Sequence, residues 1–122
     1  MLASTVFMPP GSMVLELLPF KWEWHKLSMM YFNLTQSIGD IHHFGWRPTD
    51  VKYAVYKNDS SRFRYKDWFP GECHARECLS VQGSADVVVD LDAVTALLRS
   101  KVPGMLAGRA ISDLAEPWPE AV

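Results

Sequence analysis

The sequence predicts an α/β fold built on a strand–helix–strand unit with parallel strands. Three observations carry this. Met13 to Leu18 is an apolar run interrupted only by Glu16 and closed by Pro19, which reads as a buried strand. Trp24, Leu27, Tyr31, Leu34 and Ile38 then recur at steps of three and four, with Gly39 as a C-terminal stop. That spacing predicts a helix over Trp24–Ile38, packed across the sheet. Ile41 to Trp46 supplies a short second strand. Met13–Leu18 is expected to be an inner strand of that sheet.

The remaining elements follow in order. Leu2 to Phe7 is too short to classify by period, and Met8-Pro9-Pro10-Gly11-Ser12 is a turn. From Arg47 to Gly83 the apolar period is lost, and a long polar and aromatic excursion is expected. Asp86-Val87-Val88-Val89 is strand-like, and Val94, Leu97, Leu98 and Val102 mark a second helix that Pro103-Gly104 should end. Residues 103–122 are expected to be a loose tail.

Composition narrows the class. The 122 residues are 48% hydrophobic and include five tryptophans, which argues for a packed body rather than disorder. A net charge of −2 gives no electrostatic footprint for nucleic acid or an anionic membrane. No stretch is apolar enough for a membrane span, and the apolar N-terminus lacks the basic flank of a signal peptide. Both asparagines, Asn33 and Asn58, open N-glycosylation sequons, Asn33-Leu34-Thr35 and Asn58-Asp59-Ser60. Chance places a sequon at roughly one asparagine in eight, so the pair points to the lumen of the secretory pathway, Golgi or endoplasmic reticulum.

Several constellations suggest chemistry. Asp90-Leu91-Asp92, at the end of an apolar strand, suits a divalent cation on a diphosphate. An aspartate between strand and helix equally suits a helix N-cap, and a helix beginning immediately after Asp92 favours the cap. Cys73 and Cys78 fit a local disulfide, with free thiols or a zinc site using His42-His43 as alternatives. Arg62-Phe63-Arg64-Tyr65-Lys66 alternates as a base-stacking platform would, but a solvated strand edge or loop gives the same alternation. Trp22, Trp24, Met29 and Met30 read as packing rather than a cofactor box. Glu16 stands apart. A carboxylate inside an apolar strand needs a partner or a cleft, and either a ribose diol or a structural Lys or Arg would serve.

The segment Phe7-Met8-Pro9-Pro10-Gly11-Ser12-Met13-Val14-Leu15-Glu16-Leu17-Leu18-Pro19-Phe20 resembles the signature of glycosyltransferase family 61. That family includes plant xylan-decorating transferases and animal O-linked N-acetylglucosaminyltransferases. A following helix with Tyr31-Phe32 and the Asp86–Asp90 strand extend the likeness, loosely, over residues 2–102. The family's His-Gly-Ala tripeptide, expected just before Met1, is absent, as is the N-terminal domain. The resemblance implies the C-terminal, Rossmann-like half of a GT-B glycosyltransferase, incomplete at its N-terminus. Residues 1–102 would then form a partial nucleotide-sugar-binding domain and 103–122 the tail. Its implied donor is a nucleotide-sugar, used without a bound metal or other cofactor, and its acceptor a glycan or glycoprotein hydroxyl. Ser4 and Thr5 would lie where amides and hydroxyls meet phosphate, and Glu16 would contact ribose in the same cleft. No residue qualifies as the catalytic base, and the isolated chain is expected to be inactive. The alternatives are a non-catalytic lumenal half-domain or binding module and a metal-dependent GT-A transferase using Asp90 and Asp92.

Overall fold

The structure, a computed structural model, describes residues 2–65 and 76–120. It is a mixed helix and strand fold with two small sheets. A 3-10 helix at Leu2–Phe7 leads into the Pro-Pro-Gly turn, where Gly11 adopts φ +81° and its amide donates to the Asp40 carbonyl at 2.7 Å. Strand β1 (Met13–Leu17), helix α1 (Met30–Ile38) and strand β2 (His42–Trp46) follow, and β1 pairs with β2 in parallel. This is the expected strand–helix–strand unit. Gly39 ends α1 at φ +86°, with its amide on the Thr35 carbonyl at 3.0 Å.

Other elements depart from expectation. Helix α1 begins at Met30, after a 3-10 turn at Leu27–Met29, because His25 and Lys26 hold left-handed backbone that no α-helix admits. Trp24 therefore lies outside the helix and is 45% exposed. The apolar stripe also faces differently. Leu27 and Ile38 lie at the surface, while Thr35 is wholly buried, turned inward by the bonds it makes there.

The stretch expected as an unstructured excursion holds β3 (Ala54–Val55), α2 (Asp59–Tyr65) and α3 (Arg76–Ser84). Phe63 and Arg64 thus ride on α2, not on a strand or loop; Lys66 lies outside the described residues. Strand β4 (Asp86–Val87) pairs antiparallel with β3, so among the described residues β1 has one partner and is not an inner strand. Cys73, and with it any bridge or zinc site shared with Cys78, lies outside the described residues.

Helix α4 (Leu91–Leu106) runs through Pro103 and Gly104 and stops at Gly108, whose φ of +74° supplies the left-handed cap. A Cβ on Gly104 would meet Leu114 Cδ2 at 2.8 Å, so the glycine makes room for helix α5 (Ile111–Leu114). The segment after Pro103 is therefore packed rather than loose. Leu114 is buried, and Lys101 Nζ pairs with Glu116 Oε1 at 2.6 Å while lying 5.7 Å from the Phe44 ring centre. Val14, Leu18, Phe20, Ile41, Phe44 and Leu114 form the apolar core, each full burial contributing about 1.5–3 kcal/mol. Among the described residues no helix is long and apolar enough to cross a membrane.

Candidate functional site

Parallel register sets Glu16 opposite Gly45, with His43 opposite Val14. Side chains alternate along a strand, so Val14, Glu16, His43 and Gly45 share one face of the sheet. There His43 Nε2 meets Glu16 Oε2 at 3.0 Å, and His43 Nδ1 meets Thr35 Oγ1 at 2.8 Å. Thr35 Oγ1 also lies 2.9 Å from the Phe32 carbonyl, to which it donates. A hydroxyl has one proton, so with that proton on Phe32 it accepts from His43 Nδ1–H. The Nε2–Oε2 contact needs a proton of its own, carried by the imidazole or by the carboxyl. The His43 side chain is fully buried and that of Glu16 is 12% exposed.

Trp118 covers this face. Its indole stacks on Phe32 at 4.8 Å, meets His43 edge-on at 5.3 Å and donates from Nε1 to Ser28 Oγ at 3.4 Å. Gly45 makes the approach possible, because a Cβ there would stand 2.9 Å from Trp118 Cζ3 and 3.0 Å from Pro119 Cδ. Gly45→Ala is expected to cost about 1–3 kcal/mol. In a Trp118→Ala background that cost should shrink to the part owed to Pro119, which thermal unfolding of the double-mutant cycle would read. A cleft of about 460 Å³ opens beside the tail, lined by Glu23, Lys26, Met29, Trp118 and Glu120 among others.

Arg47, immediately after β2, ties the surrounding loops together. Its Nη1 donates to the carbonyls of Trp22 at 2.7 Å and Pro19 at 3.2 Å, and its Nε to Pro119 at 3.3 Å. Nη2 makes no hydrogen bond among the described residues but stands 3.6 Å from Glu23 Oε2, an ion pair. Burial lowers the Arg47 pKa, with Glu23 and then Glu16 opposing that shift. Burial is also the largest influence on Glu23 and works against its charge. Hydrogen bonds from the Ser28 hydroxyl and amide and the Trp24 amide, with the Arg47 charge, outweigh it and hold the carboxyl below its ordinary 4.5.

A carboxyl lowered on folding stabilises the fold above its unfolded pKa and loses that contribution as pH falls through the folded value. Glu23 should therefore contribute fully above about pH 4.5 and fade below it. Acid titration of Glu23→Gln should give a shallower loss of stability in that window than wild type. Identical acid limbs would remove Glu23 from the account.

Of the residues singled out by sequence, Glu16 occupies this face, at the carboxyl end of β1. Its partner is a histidine, not the Lys or Arg expected of a structural role. Ser4 is exposed on the first 3-10 helix; Thr5 is buried there, and its Oγ1 has no hydrogen-bond partner among the described residues. Among the described residues no hydrogen bond or ion pair joins Ser4 or Thr5 to Glu16. Asp90 caps α4, with Oδ1 accepting from the Ala93 amide at 3.1 Å and Oδ2 from the Tyr53 hydroxyl at 2.9 Å. Those bonds, the Ala93 amide foremost, lower its pKa.

Sequence reasoning named His43 only as a possible zinc ligand, not as the partner of Glu16, and missed Arg47, Glu23 and Trp118. One signal was available for His43. Two parallel strands with an unpaired Glu16 in the first call for a partner on the same face of the second, and the second begins His42-His43. Its neighbour His42 faces the other side beside Phe44, its pKa lowered by burial and its Nδ1 without a partner among the described residues. Comparison with protein-family models, with curated proteins and with solved structures finds no match to this chain.

Proposed function

We propose that this chain is the donor-binding, C-terminal part of a family 61-type glycosyltransferase of GT-B architecture, acting in the secretory lumen. It would hold a nucleotide-sugar whose sugar passes to a glycan or glycoprotein hydroxyl. What carries the reading is Glu16 at the carboxyl end of a parallel strand directly after the Pro-Pro-Gly turn. In open α/β sheets that end of the strand is where nucleotides sit. His43 and Thr35 would fix the Glu16 carboxylate so that it meets a ribose diol without searching rotamers. The buried Thr5 hydroxyl, without a partner among the described residues, is a second group suited to a ligand oxygen. Acceptor binding and the base would come from outside these residues, so no transfer is expected from the chain alone.

A second reading, a non-catalytic binding module, is favoured by Trp118, which already covers His43 and Gly45 on the Glu16 face. Titration of nucleoside diphosphates into wild type, Glu16→Gln and Glu16→Ala separates the two. Losing a charge-assisted bond to ribose should weaken binding by roughly ten- to a hundredfold in Glu16→Ala. The titration must be run well below each variant's unfolding temperature, because the same substitution strips His43 of its partner. Unchanged affinity in a folded Glu16→Ala, or no binding by wild type, would end the donor-site assignment.

A further inference from the structure

We infer that Asn58 is an N-glycan acceptor in the folded protein and that Asn33, although it too opens a sequon, is not. An acceptor sequon is read through two groups together, the asparagine amide and the hydroxyl two residues on. At Asn58 both are presented. Asn58 and Ser60 are exposed, and Ser60 Oγ donates to Asn58 Oδ1 at 2.7 Å, so Asn58, just before α2, and Ser60, in its first turn, are brought together. At Asn33 they are split. Residues i and i+2 of a helix do not share a face, so with Asn33 on the outside of α1, Thr35 points inward. Thr35 has no exposed surface, and its hydroxyl is committed to the Phe32 carbonyl and His43.

The step joins Asn58 Nδ2 to the anomeric carbon of a lipid-linked oligosaccharide pyrophosphate. The carbon–oxygen bond to the pyrophosphate breaks with its electron pair, and one amide proton leaves to a carboxylate of the oligosaccharyltransferase. No oxidant or metal from this chain is needed, and the assignment does not depend on glycosyl transfer by this chain.

The test incubates the folded full chain with a single-subunit oligosaccharyltransferase and a lipid-linked oligosaccharide, read by intact mass and peptide mapping. One glycan is expected on wild type and on Asn33→Gln, and none on Asn58→Gln or Ser60→Ala. Thermal unfolding of each variant shows whether it is folded during the reaction. Chain held unfolded in denaturant compatible with the enzyme should gain a second glycan, at Asn33, because Thr35 is then released. Absence of a glycan at Asn58 of the folded chain, or a glycan at Asn33 of the folded chain, would overturn the assignment.

Discussion

Arg47→Ala is expected to lower the unfolding free energy by about 3–5 kcal/mol, the range for removing one partner of a buried, hydrogen-bonded charge pair. The guanidinium has almost no exposed side-chain surface and reaches three carbonyls, on Pro19, Trp22 and Pro119, as well as Glu23. Deleting it leaves those acceptors without their donor and Glu23 without its counter-charge. It also unties the segment around Pro119 from β2, so Trp118 should lose its fixed seat on Phe32 and His43. Near-ultraviolet circular dichroism would report that loss below the unfolding transition. Arg47→Lys separates geometry from charge. A lysine keeps the charge but cannot span the three carbonyls as a planar fork does, so little recovery is expected. Wild-type stability in Arg47→Lys would show that charge alone matters at this position.

His43→Ala should cost nearly as much, about 3 kcal/mol or more, through a different mechanism. It removes the partner of Glu16 and the donor to Thr35 in one step, leaving two largely buried polar groups and a cavity beneath Trp118. The double variant Glu16→Leu/His43→Leu is the informative control. Apolar replacement of both members of a buried pair is often neutral, so much of the stability should return. A double variant as unstable as His43→Ala would mean that the loss does not come from the unpaired carboxylate.

Local signals in the sequence determined the β1–α1–β2 unit. Pro9-Pro10-Gly11 set the turn, the apolar run and Pro19 set the strand and its end, and Gly39 stopped the helix through its left-handed backbone. An aspartate N-cap was equally legible, because a cap depends only on residues within one helical turn, but the helix starts at Leu91 on Asp90 rather than after Asp92. The register that brings residues 16 and 43 together joins positions 27 apart, and no local spacing encodes such a contact. Tertiary packing alone decided that Thr35 rather than Leu27 or Ile38 faces inward, since its hydroxyl finds a buried partner only once β2 is in place. It decided the fate of the tail for the same reason. Pro103, Pro117 and Pro119 read locally as helix breakers and a loose end, yet Gly45, Arg47 and Gly104 form seats for Trp118, Pro119 and Leu114 that exist only in the assembled fold.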